Sequence, residues 1–135
     1  MAASPTTSVT NCTFSNNASP NNGVLYTNSG STTLTNCTLV GNSAGAYQST
    51  LYNCIVYYNG TNYDPTSLLR YCCTTPLPTG VGNITAEPQF IDPSHIAASS
   101  PCRGAGNLVY ARGADTDGEA WLNPPSIGCD EYYST

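Results

Sequence analysis

Val9-Thr10-Asn11-Cys12-Thr13-Phe14-Ser15-Asn16-Asn17, Leu34-Thr35-Asn36-Cys37-Thr38-Leu39-Val40-Gly41-Asn42 and Leu51-Tyr52-Asn53-Cys54-Ile55-Val56-Tyr57-Tyr58-Asn59 align without a gap. The shared pattern is Φ-x-N-C-x-Φ-x-x-N, with Φ apolar, and a degenerate fourth copy follows at Leu69-Arg70-Tyr71-Cys72-Cys73. The cysteines at 12, 37, 54 and 72 are spaced by 25, 17 and 18 residues. That interval is too short for a helical-pair repeat or a propeller blade and suits one turn of a β-solenoid. Cys and the following Φ sit two apart and share a strand face. The preceding Φ is out of phase, and a bend at Asn, which tolerates the left-handed conformation, restores it. Each turn then points Φ, Cys and Φ inward. The resulting thiol ladder reads as buried core filler rather than as disulfides, because stacked strands disfavour the bridging geometry.

Outward from the repeats, Asn21-Asn22-Gly23, Asn28-Ser29-Gly30, Gly41-Asn42-Ser43 and Asn59-Gly60-Thr61 are turn signals. The first turn is the longest and is expected to carry an excursion near 17–23. Only 8% of the 135 residues are charged, and aromatic content is high, with ten Tyr. Disordered chains are charged and poor in aromatics, so this one is expected to fold. With no lysine and only Arg70, Arg103 and Arg112 against eight acidic residues, it lacks the cations for nucleic acid or for an anionic membrane surface. No apolar run is long enough to span a bilayer. Seven cysteines fit an exported protein. Met1-Ala2-Ala3-Ser4 has neither region of a secretory leader, so the chain reads as a fragment of a longer secreted or cell-surface protein.

The repeats resemble those of pectate-lyase-like parallel β-helix proteins. The tail is more specific. Glu87-Pro88-Gln89-Phe90-Ile91-Asp92-Pro93, Ser100-Pro101-Cys102, Asp115-Thr116-Asp117-Gly118-Glu119 and Ile127-Gly128-Cys129-Asp130-Glu131-Tyr132 resemble, in order, the ending of bacterial exported choice-of-anchor Q proteins. Arg103-Gly104 and Ala120-Trp121 depart from that pattern. The resemblance implies a right-handed parallel β-helix of about three to four coils over 1–75. A loop-rich C-terminal cap over 76–135 would cover the last open edge, with Trp121, Phe90 and Ile127 as its plug.

The coils over 8–75 hold one carboxylate, Asp64, and one base, Arg70. Neither a calcium-and-base lyase site nor a paired-carboxylate hydrolase site can be built from these. The chain therefore reads as a structural or carbohydrate- or protein-binding scaffold, with Tyr52, Tyr57, Tyr58 and Tyr63 as a binding face. Stacked sheet-stabilising tyrosines are the competing reading. A metal-dependent or Cys/His hydrolase of esters or phosphoesters is the alternative. Zinc would fall to His95, Asp92 and Glu87, and a nucleophilic dyad to His95 with Cys72 or Cys73. Asp115, Asp117 and Glu119 could begin a calcium loop, although an Asx-type turn explains the same spacing. Cys102 and Cys129, outside the ladder, are expected to form a disulfide. An open first coil would invite a homodimer, whose cleft could make a site.

Overall fold

The computed structural model describes residues 6–19, 23–25 and 30–134. Residues 1–4, the turn at Asn21-Asn22 and most of the turn at Asn28-Ser29-Gly30 lie outside the described residues. Among those described there is no α-helix, and no helix is long and apolar enough to cross a membrane. The fold is all-β with parallel sheets.

The strands come in pairs, one pair per repeat: β1 (Thr6–Thr10) and β2 (Thr13–Ser15), β3 (Ser31–Thr35) and β4 (Thr38–Val40), β5 (Ser49–Tyr52) and β6 (Ile55–Tyr57), β7 (Leu68–Arg70) and β8 (Cys73–Thr74). Odd strands form one four-stranded parallel sheet in the order β1-β3-β5-β7, and even strands form a second in the order β2-β4-β6-β8. A third line of contacts joins the connecting loops through Val24, Gly45, Ala46 and Asp64. Gly45 is required there, because a Cβ would stand 2.2 Å from the Asn62 carbonyl oxygen.

Register follows the repeat. Val9, Leu34, Leu51 and Leu69 stand in one row, and Phe14, Leu39, Val56 and Thr74 in another. Between the rows, Asn11, Asn36 and Asn53 take φ of 56°, 48° and 55°, with Tyr71 in the same region at 54°. These left-handed residues turn each odd strand into the following even one. The cysteines come next. Cys37, Cys54 and Cys72 each donate Sγ–H to the apolar residue of the preceding turn (Val9, Leu34 and Leu51 carbonyls, 3.4–3.5 Å) and to the carbonyl two residues back. All seven cysteines are free thiols.

A second polar ladder closes the far corner. Asn42 accepts from Asn17 N–H and Nδ2 (3.0 Å each), and Asn59 accepts from Asn42 N–H and Nδ2 (2.9 Å each). Asn62, not itself a repeat residue, does the same for Asn59. Each Nδ2 of Asn42 and Asn59 also reaches a carbonyl of the turn before, Phe14 or Leu39. The last asparagine of the motif is therefore an internal strut.

The tail departs from the expected cap in two ways. The edge of the fourth turn is covered by 79–86: Tyr71 N–H donates to Val81, Thr74 N–H to Ile84, and Ile84 pairs with Cys73. Asn83 stands at the cysteine's place, accepting from Cys72 N–H and donating to the Leu69 carbonyl as Cys72 donates to that of Leu51. The remainder lies along the outer face of the second sheet rather than over its end. A second core forms there from Ile55, Cys73, Ile96, Cys102 and Ile127. The plug expected of Trp121, Phe90 and Ile127 reduces to Ile127, which is fully buried. Phe90 is half-buried at the rim, and Trp121 is half-buried with its indole N–H on the Arg112 carbonyl. The corner asparagines hold this tail: Asn11 donates to Arg112 and Ala114, Asn36 to Ser126 and Gly128, Asn53 to Asn107. Gly128 passes so close to the sheet that a Cβ would meet Ile55 Cδ1 at 2.7 Å. The two apolar cores thus share the second sheet, and the boundary at 75 does not separate them.

Replacing Asn42 by Ala strands the Asn17 amide and the Phe14 carbonyl together. Urea titration of Asn42→Ala is expected to give a loss of about 2–3 kcal/mol in unfolding free energy. A loss under about 0.5 kcal/mol, the size of an ordinary surface change, would remove the strut role.

Candidate functional site

Six of the eight acidic side chains, Asp92, Asp115, Asp117, Glu119, Asp130 and Glu131, gather on one side of the tail with the sole histidine. All of these but Asp115 line a pocket of about 350 Å³, together with Ile91, Tyr132 and Tyr133.

The local sequence dictates the geometry. Asp92-Pro93-Ser94-His95 is a hairpin turn between β9 (Phe90–Asp92) and β10 (His95–Ile96). Asp92 Oδ1 accepts the N–H groups of Ser94 and His95 (2.9 and 3.0 Å), as an Asx turn does. The same carboxylate grips His95 Nδ1 at 2.8 and 2.9 Å. His95 Nε2 then faces Asp117 Oδ2 at 2.8 Å. Asp117 sits in a second Asx turn. There Asp115, buried, accepts from Asp117 and Glu119 N–H through Oδ1 and from Glu131 N–H through Oδ2. Glu131 is also consumed internally, by Leu122 N–H, Ser126 N–H and the Ser126 hydroxyl. Asp130 Oδ2 accepts Ile96 N–H at 3.1 Å.

The charge states follow from these contacts. His95 is pushed up to about 9, chiefly by the Asp92 carboxylate and then by Asp117, against the opposing effect of burial. Asp92 is held below the usual range by the Ser94 N–H and by His95, which together outweigh its loss of water. Burial raises Asp130 to about 6. Loss of water and the nearby Asp115 and Asp117 charges raise Glu119. At neutral pH the site therefore holds an imidazolium clamped between two carboxylates.

Two groupings bring possible metal ligands within 4.8 Å of one another: His95, Asp117 and Asp130, and Asp115, Glu119 and Asp130. The zinc set expected from the sequence is only partly assembled, because Glu87 accepts the Tyr58 hydroxyl instead. The Cys/His dyad is not assembled. Cys72 points into the first core, Cys73 donates to the Ala86 carbonyl at 3.1 Å, and neither lines the His95 pocket. In the expected calcium loop, Asp115 accepts backbone N–H groups on both oxygens as an Asx turn does, and Asp115 and Glu119 converge with Asp130 rather than with Asp117. The Cys102–Cys129 disulfide is absent: Cys129 Sγ contacts Thr13 Oγ1 at 3.1 Å and the Ser94 carbonyl at 3.3 Å, while Cys102 faces the second core.

Of the four tyrosines expected as a binding face, Tyr58 is 52% exposed and the other three make internal contacts. Tyr52 stacks on Tyr110 at 4.1 Å and 5°, and Tyr57 and Tyr63 donate to the Thr85 and Pro76 carbonyls. Sequence reasoning missed Asp130 and Glu131 as site residues. A carboxylate pair directly after the apolar Ile127-Gly128-Cys129 was the available signal, since such charges are buried only when partnered. No protein-family model matches the chain, and neither a curated protein nor a solved structure does.

His95 gains its partners on folding, so its folded value near 9 exceeds the unfolded 6.5. Its contribution to stability is complete below about pH 6.5 and is lost as pH rises through about 9. Thermal melts from pH 6 to 10 should show that decline, and His95→Gln should flatten it over the same window. An unchanged slope in the variant would mean that other groups set the pH dependence.

Proposed function

We propose that the chain is the closing unit of a right-handed parallel β-helix of the pectate-lyase-like kind, with the choice-of-anchor Q type of ending. On this reading it serves an exported bacterial protein as a structural scaffold. The observation that carries it is the unlikeness of the two ends of the stack. At the fourth turn the strand edge is covered by 79–86. At the first turn Val9, Cys12 and Phe14 remain only partly buried, whereas Leu34, Cys37 and Leu39, one turn on, are at most 1% exposed. Among the described residues Cys12 reaches only the Thr10 carbonyl, whereas each later ladder thiol also reaches a carbonyl of the turn before. Among the described residues nothing pairs with the far edges of β1 and β2, and an apolar interior open at such an edge is complementary to one further turn of the same repeat. The internal commitments of Tyr52, Tyr57 and Tyr63 favour a structural role over a sugar-binding face.

Register makes the test direct. Thr32 pairs with both Thr7 and Ser49, so a copy of residues 32–48 placed immediately before Thr7 would seat its cysteine under Cys12. This extended chain is expected to stay monomeric and melt at least about 4 °C higher in one transition, with the added amides protected from hydrogen exchange. An unprotected addition with unchanged Tm, or a native chain that is already a dimer through β1, would overturn the reading.

A metal-dependent hydrolase is the second reading, favoured by the convergence of His95, Asp117 and Asp130. Zinc there requires His95 to release a proton and its hold on Asp117. Zinc titration by calorimetry, with an ester panel and His95→Ala as control, separates the two: stoichiometric heat and turnover, both lost in the variant, would replace the scaffold reading.

A further inference from the structure

Of the seven thiols, five lie outside the second core. Cys12, Cys37, Cys54 and Cys72 form the ladder, stacked on aligned parallel strands whose Cβ vectors run side by side, an arrangement ill-suited to the perpendicular dihedral of a disulfide. Cys129 is bound by Thr13 and the Ser94 carbonyl. Cys73 and Cys102 differ. Cys73 points outward from β8, on the side opposite the ladder, and Cys102 comes from the tail turn laid against that face. Both pack into the second core, and both residues are fully buried. Both backbones are fixed independently of any bond between them. Cys73 N–H donates to the Cys54 carbonyl, and the strand pairs with Ile84. Cys102 N–H donates to Ser100 Oγ, and its carbonyl accepts from Ile127 N–H and Ala105 N–H.

We infer that Cys73 and Cys102 form the chain's disulfide when it folds in an oxidising compartment, stapling the tail to the last turn of the stack. The oxidant is a low-molecular-weight disulfide of the glutathione class. One protein thiolate attacks it and releases one small thiol. The second protein thiolate then attacks the mixed disulfide and releases the other. Two protein thiols and one RSSR become one protein disulfide and two RSH, with both protons carried by the leaving thiols. Exchange must precede the docking of the tail. Once the core has closed, burial and the partner sulfur hold the Cys73 thiol above its ordinary value and leave it inert. The bond closes the loop from 73 to 102, so it restricts the unfolded chain as well as fastening the tail.

The three arginines make the pairing readable. Trypsin cuts after Arg70, Arg103 and Arg112, so Cys72, Cys73 and Cys102 share the peptide 71–103, while Cys129 lies in 113–135. The full chain is refolded in a reduced/oxidised glutathione buffer, alkylated and digested without reduction. Peptide 71–103 is expected about 2 Da light, and further cleavage before Asp92 should leave 71–91 joined to 92–103. Cys72→Ser should keep that link, and Cys73→Ser should lose it. Tm of the oxidised wild type should exceed that of the dithiothreitol-treated protein by about 5 °C or more, a difference absent in Cys73→Ser. A link between 71–103 and 113–135, or a 71–103 peptide with all three thiols alkylated, overturns the inference. Because peptide mapping does not depend on the variants folding, the result stands even if Cys73→Ser is unstable.

Discussion

Asn11, Asn36 and Asn53 stand where a strand of one sheet must become a strand of the other, each with φ near +50°. Few residues other than glycine occupy that region without strain, and asparagine is among them. The bend cures the phase mismatch between the apolar residue three before cysteine and the one two after it. Without it, one of the two would face solvent. The corner also fixes what lies outside. Its side-chain amides project away from the stack and need partners, and the tail supplies them as carbonyls of Asn107, Arg112, Ala114, Ser126 and Gly128. One residue type at one position therefore sets both the turn and the docking of a segment some ninety residues away.

That docking changes what the second sheet is. Its inner face carries Leu39 and Val56, but its outer face carries Thr38, Ile55 and Cys73, and all three are buried. Thr38 serves the tail directly, accepting the Cys129 N–H at 3.0 Å. A sheet covered on both faces loses the alternation of polar and apolar residues, which is why Ile55-Val56 reads as a continuous apolar pair. The fourth turn, by contrast, has Tyr71 at the corner in place of asparagine, still left-handed at 54°. Its ring lies against Gly82 of the covering segment, where a Cβ would stand 2.3 Å from the ring. The substitution marks the place where the stack stops and the covering begins.

The repeating part of this architecture is legible because it is periodic: Φ-x-N-C-x-Φ assigns strand, corner and interior from residue type alone. The covering segment at 79–86 escaped that reading because Asn83 stands where the next cysteine would, opposite Cys72, and no second apolar residue follows it. The site was harder for a different reason. Asp92 and His95 are close in sequence and their pairing could be anticipated, but Asp117 meets His95 only through the fold of the tail, and Glu87 is diverted by the Tyr58 hydroxyl on the stack. The cysteines show the same limit. Position outside the ladder identified Cys102 and Cys129 as different, and paired them by elimination. Cys102 shares its core with Cys73, hidden in a Cys72-Cys73 doublet whose two members enter different cores.

Electrostatics explains why the histidine matters beyond its own hairpin. The other cations are occupied or remote. Arg103 lies 4.4 Å from the Tyr132 ring centre and donates to the Ala98 carbonyl, Arg112 donates to the Val109 and Ala111 carbonyls, and Arg70 belongs to β7. Among the described residues the ion pairs are those of His95 alone. Six carboxylates folded into one region repel one another unless charge is removed, neutralised or spread onto N–H donors. The structure uses all three routes: Asp130 is raised toward protonation, His95 carries a proton between Asp92 and Asp117, and Asp115 and Glu131 are wrapped in N–H groups. A metal ion would be a fourth route to the same end, competing with a proton already in place. The pocket is thus better described by its resident cation, the His95 imidazolium, than by one it might acquire.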